Sequence, residues 1–217
     1  MNPIRIVIVD TETTGLDRQK DEPIEIAMLR YEWPSWEPCG VLYERLKTTF
    51  ASVSPEAAKV NGYTPEEWMV PKAKLPSADI VDSLIGFTAG CHWVGSMPQF
   101  DFDILDLMRR RYYPSSIWAL ASHRLIDVGS LGAPLMFAGL TEKGGLDAIC
   151  KVLQIEVGDL LHGGAFVNER HPLYRVSDGR IGAHTALGDA LRTARAFERL
   201  MNRYVSAWDP SRDMVTP

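Results

Sequence analysis

Ile4, Arg5, Ile6, Val7, Ile8 and Val9 form a run that is nearly all branched and apolar, and it stops at Asp10. A strand that is apolar at successive rather than alternate positions is stable only where both of its faces are covered. The run therefore commits the chain to a central sheet with layers on both sides. An acid at the end of a buried strand is costly to place, and a second, Glu12, follows two residues on. Strand side chains repeat every second residue, so Asp10 and Glu12 point to the same side. Two converging carboxylates repel each other unless a cation lies between them. A hard divalent ion with oxygen ligands is the natural partner, and metal-dependent chemistry is the first functional expectation.

The rest of the chain supplies the layers. Pro23 precedes a second strand candidate over 24–31, alternating around Ile24, Ile26 and Met28. The stretch 33–38 predicts a turn or long hairpin loop, and 41–49 a third strand. Ser54 and Pro55 read as the cap and first position of a helix that Asn61-Gly62 ends. Thr64-Pro65-Glu66-Glu67 repeats the start signal, with Glu67 completing a capping box. A helix opens at Ser77 or Asp79 and runs to Thr88, followed by a short buried strand over 91–94. Phe102, Leu105 and Met108 stand at helical spacing over 101–111. A short strand over 125–128 leads into a helix ending near Ala138, and another helix covers 145–153. Leu187, Leu191, Ala194 and Leu200 make the apolar stripe of a last helix over 185–204. Early strands followed by alternating helices and short strands are an α/β pattern. The expected organisation is one domain over 1–207, with a flexible loop at 155–183 and a frayed tail at 208–217. The loop carries Arg170, Arg175 and Arg180 and adjoins His184, so it is expected to border the entrance for substrate.

With 46% apolar residues, a chain of 217 residues can bury a sizeable core without disulfides or a structural metal. Its net charge of −5 argues against a passive nucleic-acid binder with a long footprint. It does not argue against an enzyme, because acidic metal ligands lower the formal charge and bound ions reverse it locally. Cys39, Cys91 and Cys150 are far apart and odd in number, which reads as free thiols in a reducing compartment. Cys91-His92 is too sparse for a metal site. The apolar opening ends at Asp10 without a basic leader, and no apolar stretch is long enough to span a bilayer. The expectation is a cytoplasmic protein with no membrane partner. Trp33, Trp36, Trp68, Trp93 and Trp118 read as packing residues, and Arg109-Arg110-Arg111 as a solvated helix end.

Two further sites complete a pattern with Asp10 and Glu12. Phe100-Asp101 opens the middle helix, and His184 stands five residues before Asp189 at the start of the last. In this order and spacing the residues resemble the DnaQ-like, or DEDDh, 3′-5′ exonucleases, among them the proofreading subunit of bacterial DNA polymerase III. The block Asp10-Thr-Glu-Thr-Thr-Gly-Leu16, Ser54-Pro-Glu-Ala, Val60-Asn-Gly-Tyr-Thr-Pro65 and Leu146-Asp-Ala-Ile-Cys150 support the likeness, which covers roughly residues 4–204. It implies a ribonuclease-H-like fold, a mixed five-stranded sheet flanked by helices with the second strand antiparallel. It also implies two Mg²⁺ or Mn²⁺ ions, Asp10, Glu12, Asp101 and Asp189 as their ligands, and His184 as general base. Thr13, Gly15, Leu16, Asn61 and Phe102 become candidates for contacting the terminal nucleotide. The chain departs from the pattern at Ser96-Met97, where relatives often carry His-Asn, and at Asn61, where they often carry His. Thr185 stands where a tyrosine-type relative would have Tyr.

Those roles suit the chemistry. Phosphodiester cleavage needs an attacking hydroxide, in-line geometry and a stabilised departing oxygen, which a pair of metals supplies. An imidazole titrating near about 6.5 can accept the water's proton. On a helix His184 and Asp189 would lie about 140° apart, so His184 must sit on the loop before the helix, with Gly182 and Gly188 leaving room. The expected activity is release of nucleoside 5′-monophosphates from the 3′ end of single-stranded or frayed DNA. An exoribonuclease or oligoribonuclease acting on RNA is the alternative. A catalytically silent binding module is a weaker one, because all five catalytic positions are present. Relatives are in some cases dimers and in others polymerase subunits, so a polymerase or a second copy is an expected partner.

Overall fold

A computed structural model describes residues 3–49, 51–68, 73–116, 124–155 and 181–207. Strands β1 (Ile4–Thr13), β2 (Pro23–Trp33) and β3 (Glu37–Arg45) come first. Helices α1 (Pro55–Asn61), α2 (Pro65–Trp68) and α3 (Ala78–Thr88) follow, then β4 (His92–Gly95), α4 (Pro98–Arg110), β5 (Leu125–Asp127), α5 (Val128–Phe137) and α6 (Leu146–Leu153). A final helix, α7 (Ala186–Ala207), completes the described fold. The sheet is five-stranded in the order β3-β2-β1-β4-β5. β2 runs antiparallel to both its neighbours, while β1, β4 and β5 are parallel. This is the expected mixed sheet of a ribonuclease-H-like α/β fold, with β1 at its centre.

The continuous apolar run of β1 is explained by what covers it. Ile6 and Ile8 face α5, α6 and α7, in a core with Leu187, Leu191, Phe197 and Leu200. Val7 and Val9 face α3 and α4, in a second core with Leu84, Trp93, Phe102 and Met108. Each of these large side chains contributes about 1.5–3 kcal/mol by leaving water. The alternation carries on past the apolar run, so Asp10 and Glu12 lie on the α7 face and Thr11 on the α4 face.

Some boundaries differ from the sequence reading. β1 does not end at Asp10 but pairs with β2 as far as Thr13, opposing Asp10 to Ala27 and Glu12 to Glu25. The acids are thus inside a paired strand, because backbone pairing continues where the side-chain pattern turns polar. β3 begins at Glu37, earlier than expected, since the connection from β2 is a tight turn. α4 begins at Pro98, so Asp101 sits in its first turn. Ser54 caps α1 by accepting from the Ala57 amide at 3.1 Å, as its position before Pro55 predicts. The Arg109-Arg110-Arg111 end of α4 is not simply solvated. Arg109 is buried, and Arg110 and Arg111 pair with Asp106 and Glu22. Trp33 and Trp36 pack on Phe197, and Trp68 and Trp93 are buried. The three cysteines are free. Most of the Gly-rich stretch 155–183, the tail 208–217, Trp118 and the Glu67 side chain lie outside the described residues. Among those described, no helix is long and apolar enough to cross a membrane.

Candidate active site

Three elements bring the acids together. β1 presents Asp10 and Glu12, and α7 presents Asp189 from its first turn. Oxygens of these three carboxylates lie within 4.8 Å of one another. Asp101 comes from α4, on the other side of β1, and stands outside this triplet. It is buried, and its Oδ1 accepts a 2.7 Å hydrogen bond from the Thr11 hydroxyl. The strand's alternation explains the arrangement, since Thr11 faces α4 while its two acidic neighbours face α7.

The electrostatics of this cluster are strongly unfavourable without a cation. Asp10 is pushed well above the usual carboxylate range by burial first and then by Asp101, Asp189, Glu12 and Glu25. Burial raises Asp101 to about 7 against the lowering effect of the Thr11 hydroxyl. A donor set made wholly of carboxylate oxygens, closely spaced and mutually repelling, fits hard divalent ions. Among the described residues no other group of three or more acids, histidines or cysteines has this spacing.

His184 stands on the loop before α7, as the helical geometry required. Its side chain is exposed, and its amide donates to Asp189 Oδ2 at 3.3 Å. Its backbone is left-handed, with φ 61°. A histidine there costs about 1–2 kcal/mol, and such strain persists where surrounding contacts dictate it. They do so here. The Thr185 hydroxyl donates to the Gly182 carbonyl at 2.8 Å and accepts from the Gly188 amide at 3.1 Å. The Gly182 carbonyl lies so close to α7 that a Cβ on Gly188 would stand 1.8 Å from it. Gly188 is therefore a close-approach glycine, whereas a Cβ on Gly182 would meet open space.

Two cavities flank the acids. One, of about 330 Å³, is lined by Asp10, Ser96, Lys143, Asp147, His184, Asp189 and Arg192. The other, of about 390 Å³, adjoins Glu12 and is lined by Thr13, Gly15, Leu16, Ala57, Val60 and Asn61 among others. Four of the five candidate nucleotide contacts thus share one cavity. Leu16 is 85% exposed there. Asn61 is buried and ties α1 to β1 through a 3.2 Å bond from its amide to the Thr13 carbonyl. Gly15 is required by the Asp21 carboxylate, which would lie 2.5 Å from a Cβ. Phe102 is a correction. It is fully buried, edge-on to Trp93 at 5.3 Å, and offers no surface to a base. Adjacency to Asp101 misled, because successive helical residues point in different directions.

Two residues of the site escaped the sequence reading. Glu25 is fully buried opposite Glu12. It accepts from the Tyr43 hydroxyl and from the Ala186 amide, so it anchors the start of the helix that carries Asp189. Arg192 donates to Asp189 at 2.8 Å and also pairs with Asp147. Burial alone would lower its pKa, but these two hydrogen bonds raise it, so it stays charged. The i,i+3 spacing of Asp189 and Arg192 was a readable signal; the Asp147 partner was not.

A carboxylate cluster of this kind, at the end of the central strand of a ribonuclease-H-like sheet, defines a metal-dependent nuclease architecture. A family model of exonucleases, the RNase T type, matches residues 7–165. The chain belongs to that family, within the DnaQ-like superfamily. Among solved structures, exonuclease I from Methylocaldum szegediense is similar with a TM-score of 0.67 and 17% identity, over 92% of this chain and 41% of that one. Escherichia coli exonuclease I in complex with a dT13 oligonucleotide has a TM-score of 0.62 and 16% identity, over 94% and 42%. Cell-death related nuclease 4 (CRN-4) has a TM-score of 0.59 and 15% identity, over 92% and 64%. The chain thus spans less than half of each exonuclease I and under two thirds of CRN-4. No curated protein matches it in sequence.

Proposed function

We propose that this protein removes nucleotides from the 3′ end of single-stranded or frayed DNA and releases nucleoside 5′-monophosphates. In this reading Asp10, Glu12, Asp101 and Asp189 hold two divalent ions, Mg²⁺ or Mn²⁺, and His184 is the general base. The observation that carries it is the convergence of Asp10, Glu12 and Asp189 within 4.8 Å, beside a strained and exposed His184. When bound, the ions lower the pKa of an attacking water and neutralise charge on the departing 3′ oxygen.

The chain's own groups do the rest. His184 stands outside the acid cluster and open to solvent, where an imidazole can accept a proton from water and pass it on. Arg192 pairs with Asp189 and orients it, and Glu25 holds the start of its helix. The cavity beside Glu12 would take the terminal nucleoside. Leu16 and Val60 offer exposed apolar surface to a base, which accepts any base sequence. A recessed pocket of this size requires the terminal nucleotide to be unpaired, and the similar E. coli exonuclease I with its dT13 strand supports that substrate class.

The test uses 5′-labelled DNA and RNA oligonucleotides of one sequence, with Mg²⁺ or Mn²⁺, beside an Asp189→Ala control. A ladder that shortens from the 3′ end and vanishes in the variant is expected, faster on DNA. A faster RNA ladder would make the protein an exoribonuclease. No ladder on either strand, with the protein folded, would overturn the reading.

A further inference from the structure

The cavity that holds Asp10, His184 and Asp189 has two cations on its walls, Arg192 and Lys143. They are not equivalent. Arg192 is largely buried, and its guanidinium is committed to Asp189 and Asp147. Lys143 lies between α5 and α6 and is exposed. Asp147, the acid nearest in sequence on that wall, is already engaged by Arg192. Among the described residues Lys143 forms no salt bridge. Its backbone is nevertheless fixed. The Thr141 hydroxyl donates to its carbonyl at 3.0 Å, and its amide donates back to that hydroxyl at 3.3 Å. The result is a held backbone whose ammonium has no partner among the described residues, at the rim of a cavity that also holds the carboxylates of Asp10, Asp147 and Asp189.

A polyanionic strand entering a protein of net charge −5 needs compensation where its phosphates pass. We infer that Lys143 binds a backbone phosphate of the strand at or next to the scissile bond, and so sets the strand's register against Asp10 and Asp189. This rests on the exonuclease reading above. A lysine is suited to the task as a compact point charge on a flexible stem, able to follow a phosphate as the strand advances.

The experiment measures binding of a fluorescein-labelled oligothymidylate with phosphorothioate linkages, which resists turnover, at several salt concentrations. Wild type, Lys143→Gln and Lys143→Arg are compared, and each is also assayed on unmodified strand. Losing one phosphate contact should reduce the slope of log Kd against log salt by about 0.7. From 50 to 200 mM salt the wild type should then lose about 2.5-fold more affinity than Lys143→Gln. The glutamine variant should show a raised KM on unmodified strand, and arginine should restore the slope. A wild type that cleaves, with an unchanged slope in Lys143→Gln, would overturn the assignment while leaving the exonuclease reading intact. A wild type that neither binds nor cleaves would remove both.

Discussion

Gly188→Ala tests how the His184 loop is built. The new Cβ would stand 1.8 Å from the Gly182 carbonyl oxygen, 2.7 Å from its carbon and 2.9 Å from the Thr185 hydroxyl. Two of these atoms are backbone, so no side-chain rotation relieves the clash. Either α7 shifts or the loop lifts away. Overpacking in a tight site costs about 1–3 kcal/mol. Lifting the loop gives up three hydrogen bonds on the Thr185 hydroxyl, at about 1 kcal/mol each. The cheaper route sets the loss, about 1–3 kcal/mol, or a fall in Tm of about 2–12 °C for a chain of this size. The functional loss should be larger than the structural one, because the loop carries His184 and its amide contact to Asp189. The assays are thermal unfolding and 3′ exonuclease turnover, with Mn²⁺ binding measured by calorimetry. Turnover should drop by about two orders of magnitude or more if general-base positioning is lost. A Gly188→Ala protein with unchanged Tm and turnover would refute the close-approach argument.

The raised carboxylates make a prediction about pH. Folding lifts Asp10 and takes Asp101 from 3.8 to about 7, so between these values the folded protein binds protons that the unfolded chain has released. Metal-free stability should therefore fall as pH rises from about 4 to about 7, with Asp101 alone accounting for on the order of a few kcal/mol. Mg²⁺ or Mn²⁺ should restore the Tm at pH 8 far more than at pH 5, and a metal-free Tm that rises over this interval would contradict the account. Asp10→Asn removes a group whose ionised form burial and the neighbouring acids disfavour, so it should raise the metal-free Tm at pH 8 and shrink the metal-induced shift; a lower Tm would contradict that account. His184→Ala should leave calorimetric Mn²⁺ binding largely intact while cutting turnover at neutral pH by about 10²–10⁴-fold. Equal turnover would remove His184 from the mechanism.

Much of this was legible in the sequence. Residues whose role depends on neighbours in the chain were read directly. The β1 run announces a central strand, Asp10 and Glu12 share a face because strands alternate, and His184 must precede α7 because a helix would separate it from Asp189. Ser54 and Pro55 mark a helix start through local backbone chemistry alone. These features follow from short-range sterics and periodicity, which a sequence carries explicitly.

The tertiary structure decided what depends on pairing between distant segments. Glu25 becomes part of the site only through the register that opposes it to Glu12. Asp147 becomes the partner of Arg192 across 45 positions, and Phe102 is lost to the core because α4 turns it toward Trp93. Asp101 was identified by its motif, but its place behind Thr11 required the sheet. The sequence determined which elements form and which residues are candidates for the chemistry. The packing of α4 and α7 on opposite faces of β1 decided which of them meet, because contacts between remote segments are fixed by the collective burial of a whole core.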